Sequence, residues 1–379
     1  MPLQYCSNCL NPSSRPQLHF SDEGVCSACL NYSGRASVDW VKRKEFFLAL
    51  VEKYKSKNCD RYDCVVGVSG GKDSTYQILT LLRYGLRALA VTGINCALSD
   101  IGRKNLNNLS KLGVDRIEVA TNQKVRAAMN RHALRTVGDI SWPEHAIIAS
   151  APLQISAQMG IPLQIWGENS ANEYGGQPDD ENAGVRPYKW TDAQLNGLSL
   201  DDFIGIDGIT RQDLIPYSLP ARELIEQAGI TGVFLGYYFP WDGLRNAIIS
   251  QAHGMVTHSQ TIEGSMVNYE NLDNFHTGIH DYFMYLKYGF GRTTTLVNLY
   301  IRRGRLSREE GAEIVAIHDG RFPVSYLGRT LKDILDDINM DYDEFCAICD
   351  KFTNKDIFLT DSQGRFIKRK DGSPQLITV

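Results

Sequence analysis

The sequence predicts an α/β chain built on a Rossmann-like, doubly wound parallel sheet. A small cysteine-rich ribbon precedes the sheet and a mostly helical region follows it. Three observations predict this. Short apolar runs alternate with helical stretches between residues 63 and 237, and strands separated by helices imply parallel pairing through right-handed crossovers. A glycine-rich turn, Ser69-Gly70-Gly71-Lys72-Asp73-Ser74, joins the first of those strands to the first of those helices. Two Cys-x-x-Cys pairs stand ahead of both.

The ribbon is expected over residues 1–35. Cys6-Ser7-Asn8-Cys9 and Cys26-Ser27-Ala28-Cys29 are separated by sixteen residues, enough to fold back as a small hairpin. Four thiolates at that spacing suit a tetrahedral structural Zn²⁺ with no open position, so the site holds shape and does no chemistry. A segment this small has no core of its own, and metal binding supplies its folding energy. His19, in the intervening loop, reads as a surface residue and not as a fifth ligand.

The sheet domain is expected over 36–240. Strands are predicted at 63–68, 87–93, 115–120, 162–166 and 233–237. Helices are predicted at 75–84, 101–112 (ended by Gly113), 124–135 and 143–159. Residues 177–231 are polar and irregular and read as an insertion forming part of a substrate wall or lid. From 241 to 379 the pattern is mainly helical and is assigned to substrate or partner contacts. The tail over 356–379 reads as a hairpin turning near Asp371-Gly372.

Composition narrows the function. With 43% hydrophobic and 22% charged residues over 379 positions, the chain is an ordinary globular protein of two or three domains. A net charge of −4 argues against a general nucleic-acid surface. No apolar run is long enough for membrane insertion, and the first residues lack the pattern of a signal peptide. A cytoplasmic location is expected, so the 9 cysteines should be metal ligands or buried thiols. Cys59, Cys64 and Cys96 read as structural. Cys346 and Cys349 form one further pair on a helical segment; a cluster or persulfide role is the alternative to plain burial.

The turn at 69–74 carries the chemistry. A glycine-rich turn opening a helix aims backbone N–H groups at one spot and favours phosphate there. Ser69 and Ser74 add hydroxyl donors, Gly70 and Gly71 allow close approach, and Lys72 adds a positive charge. Asp73 makes sense as a ligand of nucleotide-bound Mg²⁺. A Walker A loop is excluded, because Val66 and Asp73 stand where it needs a glycine and a hydroxyl. The run Ser-Gly-Gly-x-Asp-Ser resembles the signature of the PP-loop ATP pyrophosphatases, which cleave ATP between the α and β phosphates.

Ligands of such sheets bind beyond the carboxyl ends of the strands. Thr92 and Gly93 are therefore expected at the adenine. Gly167 and the polar run after it follow a buried strand and are expected to face the phosphate loop. There Glu168 is placed beside Asp73 on Mg²⁺, and Asn169, Asn172, Glu173 and Tyr174 at phosphate or sugar. Trp241 is added to the substrate contacts. Further on, Lys287 and Arg292 are candidates for neutralising pyrophosphate or a substrate anion. His276 and His280 are candidates for moving protons during amine attack, the alternative being satisfied histidines of a helical domain.

Taken together, the cysteine-rich start, residues 69–74, the Gly-Glu-Asn…Glu-Tyr-Gly-Gly run at 167–176, Tyr238-Phe239-Pro240-Trp241, residues 287–292 and Cys349-Asp350-Lys351-Phe352-Thr353-Asn354-Lys355 resemble the N-acetyl sugar amidotransferases, the WbpG- and PseA-like proteins of bacterial surface-sugar pathways. The resemblance covers nearly the whole chain. It implies that ATP adenylates an acetamido oxygen of a nucleotide-linked diacetamido sugar and that ammonia displaces AMP, giving an acetamidino sugar for O-antigen or nonulosonic-acid assembly. It also implies a separate glutaminase subunit supplying ammonia, with a cyclase-like companion, since no Cys-centred glutaminase domain is visible in the chain. Two other readings stand beside it: a PP-loop tRNA thiolase, and a non-catalytic zinc-ribbon scaffold that binds nucleotide.

Overall fold

The computed structural model describes residues 3–58, 60–94, 97–169, 173–175, 184–185 and 196–377. Asn172, predicted to contact substrate, lies outside the described residues, as do Cys59 and Cys96.

The chain opens with two cysteine knuckles, each beside an antiparallel bridge, Tyr5 with Pro12 and Phe20 with Cys26. Helix α1 (Ser27–Gly34) carries Cys29 in its first turn. Helix α2 (Trp40–Tyr54) is started by Asp39, whose carboxylate accepts from the amides of Val41 and Lys42 at 3.1 and 3.0 Å, satisfying two of the donors a helix start leaves open.

The sheet follows: β1 (Cys64–Gly67), α3 (Lys72–Arg83), β2 (Ala88–Ile94), α4 (Asp100–Lys111), β3 (Asp115–Ala120), α5 (Gln123–Val137), α6 (Trp142–Met159), β4 (Leu163–Trp166), α7 (Arg222–Gln227) and β5 (Thr231–Phe234). The five strands are all parallel, in the order β3-β2-β1-β4-β5. Successive side chains of a strand point to opposite faces. Cys64 and Val66 thus join Phe47 of α2, Ile78 of α3 and Leu106 of α4 on one side, while Val65 joins Met129 of α5 and Ile147 of α6 on the other. Burial on both faces explains the unbroken apolar run of β1.

Three elements differ in detail from the sequence expectation. Helix α3 begins at Lys72, three positions before the predicted start, because the glycine turn supplies its N-cap, Gly71. The fifth strand ends at Phe234, and Leu235–Tyr238 make one helical turn. Its register, from Leu163 opposite Thr231 to Trp166 opposite Phe234, stops where β4 stops. The tail is not one hairpin: bridges at Thr360–Phe366 and Lys368–Pro374 frame two turns, around Gly364 and Gly372, and a third bridge joins Phe358 to Leu376.

Residues 196–217 lie against α5 and α6, with Phe203, Ile209, Leu214 and Tyr217 buried beside Trp142. Helix α8 (Gly243–Ala252) packs along α3. Beyond it come α9 (Thr277–Tyr288), α10 (Arg292–Arg302), α11 (Arg308–His318), the two-stranded β6 (Ser325–Tyr326) and β7 (Arg329–Thr330), α12 (Leu331–Asp337) and α13 (Tyr342–Phe352). Their core, including Ile279, Phe283, Leu286 and Phe345, also takes in Leu134 and Ile140 from beside the sheet. Among the described residues no helix is long and apolar enough to cross a membrane.

Candidate active site at the switch point of the sheet

From β1 the chain steps outward to β2 and β3, then returns to the other side of β1 with β4. Crossovers therefore diverge between β1 and β4, and a crevice opens at the carboxyl ends of these two strands. The 69–74 turn leaves β1 at that point. Gly70 has φ +82°, and a Cβ there would lie 2.7 Å from the Leu106 amide nitrogen of α4, so both backbone and space demand glycine. The turn is tied internally: the Gly70 amide donates to Ser74 Oγ at 3.1 Å, and that hydroxyl donates to the Gly71 carbonyl at 3.1 Å.

Beside the turn lies a cavity of about 340 Å³. Ser69, Asp73, Ser74, Thr92, Gly93 and Glu168 of the predicted set all line it. Gly70, Gly71 and Gly167 are their immediate chain neighbours. The Lys72 ammonium is ion-paired with Asp73 and, at 2.9 Å, with Glu270. Burial alone would lower its pKa, but the two carboxylates outweigh burial and hold it well above the ordinary lysine value. Asp73 also accepts from Asn246 Nδ2 of α8 at 2.8 Å. Burial, then the charge of Asp73, pushes the Glu168 carboxyl up to about 7. Burial raises Asp273, which also lines the cavity, to about 6. Two close carboxylates that resist joint ionisation are the hard oxygen donors that Mg²⁺ prefers, so Asp73 and Glu168 suit that ion.

Glu168 also borders a second cavity of about 400 Å³, bounded by Arg35, Trp40, Asn169, Glu173, Tyr237 and Trp241 among others. Glu173 is clamped there: Arg35 pairs with one carboxylate oxygen and Arg303 with the other, the latter at 3.0 Å. Both arginines also donate to the Trp241 carbonyl, at 3.3 and 3.1 Å. Trp241 meets Tyr76 edge-on, with ring centroids 5.7 Å apart.

The predicted residues of the helical region fall into other settings. His280 joins Asp139 and His145, with one ligand atom from each lying within 4.8 Å of the others. Burial works to lower the pKa of His145, but Asp139, 3.8 Å away, raises it. His280 also contacts Asp281 at 3.2 Å, and Asp281 takes two bonds from Arg292 at 3.0 and 2.9 Å. Arg292 thus has its charge answered within the chain. His276 is wholly buried, with Nδ1 3.6 Å from Glu144. Lys287 donates to the Val137 carbonyl at 2.6 Å and lies over Phe352, and it is not among the residues lining the cavity beside the 69–74 turn. The start of α10 is filled by Asp319, which accepts from the amides of Gly291, Thr293 and Thr294 at 2.7, 2.9 and 3.1 Å.

Cys6, Cys9, Cys26 and Cys29 are buried together. The Cys6–Cys29 and Cys9–Cys26 sulfurs are 4.0 and 3.7 Å apart. A tetrahedron with Zn–S bonds of about 2.3 Å has edges of about 3.8 Å, so the set fits a structural zinc site. The amides of Asn8, Cys9 and Cys26 donate to Cys6 Sγ at 3.4, 3.4 and 3.2 Å, which favours thiolate.

Sequence reasoning missed Asn246, Glu270, Asp273, Asp139 and His145. Glu270 and Asp273 stand just before the polar, aromatic run beginning at Asn274, the only local signal of their place. Asn246 had none, because its partner Asp73 is distant in the chain, and Asp139 and His145, though near each other in sequence, meet His280 only through the fold.

Residues 263–370 match a family described as LPS biosynthesis protein WbpG-like, C-terminal domain. No curated protein matches the chain. The matched segment supplies Glu270, which pairs with Lys72, and Asp273 and Asn274, which line the cavity beside the 69–74 turn.

Proposed function

We propose that this chain, whose residues 263–370 are a WbpG-like LPS biosynthesis C-terminal domain, is the synthetase subunit of an ATP-dependent amidotransferase acting on a nucleotide-linked diacetamido sugar. The observation that carries this reading is one cavity lined both by Ser69, Asp73, Ser74 and Glu168 and by Asp273 and Asn274 of the WbpG-like segment.

In this reading the amides and hydroxyls of the turn hold the polyphosphate, Lys72 balances charge next to it, and Thr92 and Gly93 border the adenine. Asp73 and Glu168 would hold Mg²⁺, which neutralises charge on the phosphates. The acetamido oxygen attacks the α-phosphorus and pyrophosphate leaves. Ammonia then adds to the activated carbon, and AMP departs with the former amide oxygen while one proton is lost. A neutral amide oxygen becomes a leaving group only after such esterification, and the activated species must be kept from water. Asn169, Glu173, Tyr174 and Trp241 border the substrate side. His280, beside Asp139 and His145, is the candidate proton acceptor of this reading. A separate glutaminase, with its cyclase-like companion, would deliver the ammonia.

The tRNA-thiolase alternative needs a reactive cysteine. Cys349 is buried in the helical core, and burial holds its thiol well above the ordinary value, which disfavours thiolate chemistry. The test is direct. The purified chain is given ATP, ammonium and a UDP-diacetamido sugar. AMP should form in step with a sugar product in which NH has replaced an oxygen. No AMP with any such acceptor, or AMP only with tRNA, overturns the proposal.

A further inference from the structure

Between the two cysteine knuckles the ribbon sends Arg15 into the rest of the molecule, alongside Asn11, which accepts from Asn298, and Ser14, which donates to the Tyr288 carbonyl. The Arg15 guanidinium lies over the Phe290 ring at 4.8 Å and over Tyr174 at 5.7 Å. Nη1 donates to Asn11 Oδ1 and to Thr295 Oγ1, both at 3.3 Å. Both partners are neutral. Arg302, near it on α10, donates from Nη2 to the Glu173 carbonyl at 2.8 Å, and its Nη1 is buried without a hydrogen-bond partner. Among the described residues neither guanidinium has a carboxylate within ion-pair distance. This is unlike the surroundings, where Arg35, Arg292, Arg303 and Arg305 are all paired with acids.

Burial is the main cause that lowers the pKa of Arg15 to about 10; the charges of Tyr174 and Cys26 oppose it, and those of Arg302 and Arg292 add to it. Two adjacent cations held without an acid in a partly desolvated setting are costly unless an anion joins them. Guanidinium forks match phosphate oxygens in particular. Tyr174 connects this place to the reaction site, since its hydroxyl feels the charges of Glu168, Lys72 and Glu270.

Resting on the proposed function, we infer that Arg15 and Arg302 bind the diphosphate of the sugar nucleotide, with Phe290 and Tyr174 as the aromatic wall beside it. The ribbon is then part of the substrate site. Its four cysteines position Arg15 from one side while α10 positions Arg302 from the other. The site is separate from the 69–74 turn, which takes the phosphates of ATP.

The probe is UDP, titrated by calorimetry into the zinc-loaded full chain with a saturating α,β-methylene ATP analogue present. UDP should bind and UMP should bind more weakly. Arg15→Met and Arg302→Met should each weaken UDP about ten-fold or more, as loss of a charge-assisted bond does, while zinc content and affinity for the ATP analogue stay unchanged. Arg15→Lys should recover only part of the affinity, because it keeps the charge and loses the fork. If wild type does not bind UDP, if the ATP analogue displaces it, or if both Met variants bind UDP as wild type does, the inference is wrong. Failure of the amidotransferase reading shows separately, as absence of AMP in the turnover assay.

Discussion

Glu168 sits between two cavities and feels both burial and Asp73, which together move its carboxyl from 4.5 to about 7. A carboxyl raised in the folded state contributes stability that is complete below its unfolded pKa and is lost as pH rises through the folded value. The metal-free protein should therefore melt lower at pH 8 than at pH 5 on account of this residue, and Mg²⁺ with nucleotide should restore the loss. Glu168→Gln removes the titration. Its melting temperature should exceed that of wild type at pH 8, while AMP formation falls roughly 10²–10³-fold, as for removal of one group stabilising transition-state charge. Thermal melts from pH 5 to 8 decide the matter: parallel curves for the two proteins would assign the pH dependence elsewhere. Asp73 and Glu168 could be found in the sequence because one lies in a glycine turn and the other directly follows a buried strand. Asn246 could not, since it meets Asp73 from 173 positions away and no local pattern encodes such a distance.

Among the elements, the 69–74 turn is the most constrained. Gly70 and Gly71 are neighbours with different demands. At Gly70 a Cβ would strike backbone atoms of α4 at 2.7 and 2.8 Å, and φ is +82°. At Gly71 the nearest atom is Ser69 Oγ at 3.4 Å, with φ −71°. Gly70→Ala should cost more than about 2 kcal/mol and disturb ATP binding. Gly71→Ala should cost less than about 1 kcal/mol of stability. Urea unfolding of both variants separates them, and equal losses would contradict the geometry. Strands β1, β2 and β4 were readable because they are buried and run mostly apolar, whereas the edge strand β3 carries Asp115, Arg116 and Glu118 and is at most half-buried. The limit of β5 was not, because it is set by the length of β4 and not by its own residues. The two turns of the tail were half readable: Asp371-Gly372 is a familiar turn pair, whereas the turn at Gly364 depends on Arg365 and Gln363 amides donating to Asp361 at 3.0 and 2.8 Å.

Across the whole molecule, the ribbon is fastened to the helical region as well as to itself. The Leu10 amide donates to Asn298 Oδ1 at 2.7 Å, Asn298 donates to Asn11 at 2.7 Å, and Arg308 donates to the Cys9 carbonyl at 3.2 Å. Cys6→Ser should lose zinc and free this end of the chain. By metal analysis and calorimetry, UDP binding should disappear with the zinc, whereas the ATP analogue should lose little affinity. Retained zinc with four-sulfur spectroscopy unchanged would remove Cys6 from the ligand set. The two cysteine pairs announced the ribbon in the sequence, but nothing there disclosed where it docks, since docking depends on asparagines and arginines nearly 300 positions away.

The bridge between Leu98 and Asn274, reinforced by the Ser99 amide donating to the Asp273 carbonyl at 3.0 Å, stitches the late part of the chain to the edge of the early part. Asp273 and Asn274, which line the crevice beside the 69–74 turn, lie within the stitched segment. A cut at the border of the WbpG-like segment would thus run through one pocket, parting Asp273 and Asn274 from the rest of its lining. Exchange of this segment between related proteins would succeed only if the seam residues at 97–99 travelled with it, so the unit that builds this pocket is larger than the stretch by which the family is recognised.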